Sequence, residues 1–136
     1  MSVKLISTKA KVKEAEKLKE VLDKYALGGI DFPIDGEGNL QVVGKPNADW
    51  PEAIAYDQLP SEEQFPDEDA RIKEVVRLFE GKGDEGLLSL LGEIAACLET
   101  PLLILAVERD DDGYCIGRVW SLQPGGKVET LRDLTH

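Results

Sequence analysis

Apolar and polar residues recur along this chain with two different periods, and each change of period marks an element. From Thr8 onward, Val12, Ala15, Leu18, Val21, Leu22 and Tyr25 return at spacings of three and four. At the helical repeat these positions share one face, with lysines and glutamates on the other. The pattern predicts an amphipathic helix over about 8 to 27, stopped by Gly28 and Gly29. Before it, Val3 to Ile6 reads as a short strand or an extended lead-in. Ile30 to Ile34 and Leu40 to Val43 predict two strands joined by the turn residues Asp35 to Asn39.

Residues 44–66 have the composition of a long irregular loop. Within it, Asp49 as N-cap, Pro51 and Glu52 predict the start of a short helix, and Ser61 with Gln64 has the spacing of a capping box. A second amphipathic helix is predicted from Asp67 to Glu80, with Ile72, Val75, Val76 and Phe79 as its buried stripe and Gly81 as its end. Asp84 is placed to cap a third helix running to Leu98. That helix is apolar nearly all round, the pattern of one buried on several sides, and Pro101 ends it.

The last third returns to strand patterns. Leu102 to Val107 is a continuous apolar run expected of a central strand. Asp110 to Gly113 is a hairpin turn, and Tyr114 to Leu122 a second strand. Its alternation puts Ile116, Arg118, Trp120 and Leu122 on one face and Cys115, Gly117, Val119 and Ser121 on the other, with Trp120 in the core. Pro124, Gly125 and Gly126 turn the chain into a strand from Lys127 to Leu131. The expected fold is α+β: a single domain spanning 1–136, with a C-terminal three-stranded antiparallel meander packed against about three helices.

The formal net charge is −11, unevenly spread. Residues 1–24 carry seven lysines against four acids, a local +3, and the remainder carries nine Lys or Arg against twenty-three acids, a local −14. Such a field repels phosphate backbones and anionic lipid, so neither nucleic acid nor membrane is an expected partner. Cys97 and Cys115 match no metal or redox spacing and are expected as buried free thiols in a reducing, cytoplasmic setting. The N-terminal residues lack the apolar stretch of a signal peptide, and no apolar run is long enough to span a bilayer.

Catalytic patterns are sparse. The single histidine is His136, the last residue, which removes the histidine-based triads. Gly81 to Gly83 lacks the spacing of a phosphate loop and is followed by Asp84 and Glu85. Two stretches touch the calcium-loop pattern, one from Asp31 and one from Glu108, but their twelfth positions are Val42 and Val119 where a bidentate Glu is needed. No metal, no cofactor and no catalytic residue is expected.

What stands out is the segment from Asp49 to Asp69, with eight acids and no Lys or Arg. Large apolar side chains lie among those acids. The candidate partner-binding residues are Asp49, Trp50, Glu52, Tyr56, Asp57, Glu62, Glu63 and Phe65. The acids would steer a basic partner in, and the aromatics would supply the buried contact. The expectation is a non-catalytic acidic protein-binding module, an inhibitor or a protein of the bacterial toxin-immunity kind, taking a basic protein such as a toxin or nuclease. The alternative is a small enzyme or ligand-binding domain using carboxylates in a pocket. A third reading is a structural subunit whose apolar faces close in a homodimer.

Overall fold

The computed structural model describes residues 2–45, 51–110 and 112–133. It is an α+β chain built on a four-stranded antiparallel sheet, with a long helix across one face and three two-stranded ribbons beside it. Three of the four strands are the C-terminal meander: β8 (Leu102–Asp110), β9 (Gly113–Gln123) and β10 (Lys127–Asp133). The fourth is β1 (Ser2–Ser7), which pairs antiparallel with β8 from Ser2↔Arg109 to Ser7↔Ile104. The lead-in at the N-terminus is therefore an edge strand, and β8 is central, as its continuous apolar run requires. Gly113 (φ 126°), Gly125 (φ 99°) and Gly126 (φ 100°) make the two hairpin turns, in a backbone region where a side chain is strained.

One face of this sheet is the core. Leu5, Leu102, Ile104, Ala106, Trp120 and Leu122 are all buried. Trp120 and Leu122 share a face as their spacing predicts. A bulge shifts the β8–β9 register between Ala106 and Val107, so the simple alternation over Tyr114 to Leu122 does not continue past Arg118. Gly117 is the extra residue, and a Cβ there would lie 2.7 Å from the Glu108 carboxyl carbon. The buried Glu108 thus occupies the space that Gly117 leaves.

The helix predictions need two corrections. The first concerns α1, which spans Ala15–Asp23 rather than about 8 to 27. Before it, β2 (Ala10–Lys11) pairs with β5 (Asn39–Leu40), and Lys13 N–H donates to the Cys97 carbonyl at 2.8 Å. After it, Tyr25 opens β3 (Tyr25–Gly28), which pairs with β7 (Glu52–Ala55). The apolar positions Leu18, Val21 and Tyr25 do reach the core. At both ends, however, backbone hydrogen bonds to distant strands replace helical ones.

The second correction is larger. The two predicted helices at 67–80 and 84–98 form one, α2, running from Glu68 to Ala95. Neither Gly81 nor Asp84 ends or starts anything. A helix-interior glycine costs about 1 kcal/mol against alanine, too little to break a helix whose C-terminal half, with Leu87, Leu90 and Ile94, is held in the core. At about 1.5 Å per residue α2 is roughly 42 Å long. Its N-cap is Asp67, whose carboxylate accepts from Ala70 N–H at 3.3 Å. At 100° per residue Ile72, Val76, Leu87, Leu90 and Ile94 fall within about 60° of one another. Only the C-terminal part of that stripe is covered. Leu87, Leu90 and Ile94 are buried, whereas Ile72 is 53% and Val76 51% exposed. The expected buried stripe Ile72, Val75, Val76 and Phe79 is therefore not one: Val75 is half-buried, the buried residue of that turn is Leu78, and the Phe79 side chain lies outside the description.

The segment from 44 to 66 holds more order than its composition suggests. The Asp35 turn forms as expected, its carboxylate accepting from Glu37 N–H (2.9 Å) and Asn39 N–H (3.0 Å). A short ribbon and a single bridge close it off, since β4 (Ile30–Asp31) pairs with β6 (Val43–Gly44) while Ile34 bridges Leu40. Glu52 lies in strand β7 rather than in a helix begun by Asp49, and Asp49 itself lies outside the described residues. A 3₁₀ turn at Tyr56–Gln58 follows β7. The Ser61 capping box is present, with Gln64 N–H on Ser61 Oγ (3.3 Å) and Ser61 N–H on Gln64 Oε1 (3.4 Å). Strand β7 crosses α2 so closely that a Cβ on Gly86 would sit 1.8 Å from the Ala53 carbonyl oxygen. That glycine lets the ribbon β3–β7 lie on the helix, and the ribbon carries the site described next.

Candidate functional site

Where α1 ends, the chain makes one turn before entering β3, and Lys24 and Tyr25 stand at that junction. Tyr25 pairs in register with Ala55, the last residue of β7. The 3₁₀ turn is then fixed to the same junction, because Tyr56 N–H donates to the Lys24 carbonyl at 2.8 Å. These local bonds place Tyr56, Asp57 and Gln58 opposite the face of α2 that carries Glu85, Ser89 and Glu93. Between them lie two adjoining clefts of about 410 and about 180 Å³, which share Tyr25, Ala55 and Gln58 as walls.

The chemistry centres on Glu93. Its Oε1 accepts from Lys24 Nζ at 2.6 Å and its Oε2 from the Tyr25 hydroxyl at 2.5 Å. Partial burial works against its charge, but the two donors more than offset this and hold the carboxyl below its ordinary range. Tyr25 is displaced the other way: burial, and then the neighbouring carboxylate, push its phenol well above the ordinary value. The hydrogen bond to Glu93, followed by its charge, raises Lys24. At neutral pH the arrangement is one protonated phenol, one ammonium and one carboxylate. Among the described residues, no three His, Cys, Asp or Glu side chains converge closely enough to hold a metal ion.

The sequence-derived candidates separate into four sets. Tyr56 and Asp57 stand on the cleft wall, both exposed, with Tyr56 57% accessible. Glu62 and Glu63 are exposed in the capping-box turn, and Phe65 is half-buried, its carbonyl accepting from Arg71 Nη1 at 3.1 Å. Phe65 thus ties the loop to α2. Glu52 is half-buried in β7, opposite Gly28. Asp49 and Trp50 lie outside the described residues. Lys24, Tyr25 and Glu93 were not among the candidates. Two of them belong to a helix end about seventy positions away from the third, a distance no local pattern bridges. One signal was available: Glu93 is the sole charged residue between Gly86 and Leu98, in a run otherwise apolar or small.

The free thiol of Cys97 is buried, donates to the Glu93 carbonyl at 3.4 Å, and is pushed up by that burial, as an unreactive core cysteine would be. No helix among the described residues is long and apolar enough to cross a membrane. No family model, no curated protein and no solved structure matches the chain.

Proposed function

We propose that this chain is a non-catalytic protein-binding module that docks a basic protein, acting as an inhibitor of the bacterial toxin-immunity kind. The observation that carries the reading is Tyr56, more than half exposed beside Asp57 on a cleft wall, in a chain of net charge −11. Tyrosine is among the residues enriched at binding hot spots, and the acids beside it supply the charge that steers a basic partner toward it. The remaining acids act at a distance. Glu62 and Glu63, one turn further along, add to the field that draws a basic partner in.

The test begins with capture from host extract on the immobilised protein, washed at low and then at high salt. The captured basic protein is purified and its association followed by stopped-flow. The double charge reversal Glu62→Lys/Glu63→Lys is expected to slow association about tenfold or more at low ionic strength, the scale of electrostatic steering, with the dissociation rate little changed. An on-rate equal to that of the parent protein at low salt would reject the reading.

A ligand-binding domain is the second reading, and the cleft with its displaced carboxyl favours it over an enzyme. Glu93 is held ionised, which suits a counter-ion and not a general acid.

A further inference from the structure

We infer that the cleft between the 3₁₀ turn and α2 is a pocket for an arginine side chain, in which Glu93 receives the guanidinium in place of Lys24. This rests on the reading of the protein as a module for a basic partner and specifies which group of that partner enters, and where.

The size of the cleft is the first ground. At about 410 Å³ it lies within the roughly 300–1,000 Å³ of small-ligand clefts. Its chemistry is the second. The walls bring Asp23, Asp57 and Glu93 around one space, with Lys24 as the single cation among the described residues that line it. A phosphate or carboxylate entering would meet three like charges. Among the described residues, a compact metal ion has too few convergent ligands. An extended planar cation fits both facts, since its donors reach separated acceptors at once.

The third ground is the cation already in place. The Lys24 ammonium sits 2.6 Å from Glu93 Oε1, on a side chain that is 58% exposed. It is a tethered cation in the position the ligand would take. Tyr25 holds the other oxygen of the same carboxylate, through a buried and protonated phenol, so Glu93 stays oriented when Lys24 swings out. The exposed ring of Tyr56 lies on the same wall and offers a face for the guanidinium to stack on. Stacking and a forked donor pair favour arginine over lysine, whose ammonium is a compact, strongly hydrated point charge.

The experiment uses the full chain, isotopically labelled, and three probes: N-acetyl-arginine methylamide, its uncharged citrulline isostere, and the lysine counterpart. The arginine probe is expected to shift the signals of Tyr25, Ala55, Gln58 and Glu93 saturably, the lysine probe more weakly, and the citrulline probe not at all. Lys24→Met should tighten the arginine probe about two- to fivefold by removing the tethered competitor, the range of an exposed ion pair. Tyr56→Ala, at an exposed position with little bearing on folding, should weaken it about two- to fivefold. Glu93→Gln should cost at least about tenfold. Equal shifts from citrulline, no saturable shift from arginine, or indifference to both Lys24→Met and Tyr56→Ala would overturn the assignment. Equal affinity for lysine would overturn the choice of arginine. If the arginine probe fails while a basic protein still binds with salt-dependent association, the pocket is wrong and the module reading survives. If the probe binds and no basic protein does, the reverse holds.

Discussion

At the scale of single residues, two glycines of α2 make opposite predictions from the same substitution. A Cβ on Gly86 would meet the Ala53 carbonyl oxygen at 1.8 Å, whereas one on Gly92 would find its nearest neighbour, the Gly126 carbonyl oxygen, at 3.9 Å. Gly86→Ala must push β7 off the helix, and urea unfolding should show a loss of about 1–3 kcal/mol despite the gain in helix propensity. Gly92→Ala meets only ordinary contact and should gain up to about 1 kcal/mol. The Tyr25–Glu93 pair predicts a pH profile. The Tyr25 phenol is raised in the folded chain above its ordinary 10.0, so its contribution is complete below pH 10.0 and is lost as pH rises beyond it. The Glu93 carboxyl is lowered from 4.5, so its contribution is present above pH 4.5 and is lost as pH falls through the folded value. Stability measured against pH should therefore decline at both ends, and Tyr25→Phe should flatten both declines, more at the alkaline one. An unaltered profile in that variant would show that the pair does not govern it.

At the scale of elements, α2 is one helix with two environments. From Leu87 to Ile94 its stripe is sealed in the core, while Ile72 and Val76 on the same stripe face solvent. Local opening follows the buried apolar contact that it must break. Amide hydrogen exchange should thus be markedly faster over 69–77 than over 87–95, although the hydrogen-bond ladder is continuous. Equal protection along the helix would mean that something covers the exposed half in solution. The periodicity of this helix was legible, and its continuity was not. Gly81, Lys82, Gly83 and Asp84 form a locally sound stop signal, overridden because packing elsewhere along α2 outweighs a cost of about 1 kcal/mol per glycine. The converse holds for α1, where a clean periodic run over about 8 to 27 was trimmed at both ends by pairing with β5 and β7.

At the scale of the whole molecule, charge dominates. With a sequence pI near 4.5 and a net charge of −11, copies of the chain repel one another at neutral pH. Solubility should pass through a minimum near pH 4.5 and rise on either side, which turbidity against pH would measure. The strand-rich C-terminal third, its hairpin turns and the buried Trp120 follow from alternation and turn residues, because those signals are local and the meander pairs neighbours. The acidic stretch around Tyr56 and Asp57 is equally a property of the sequence. What only the tertiary structure decided is which face of that stretch meets which helix. Lys24, Tyr25 and Glu93 come together because β3 pairs with β7 and Gly86 lets that ribbon lie against α2. Local periodicity specifies which residues are apolar and where the chain turns. It carries no information on contacts between residues some seventy positions apart, which are set by the closing of one common core.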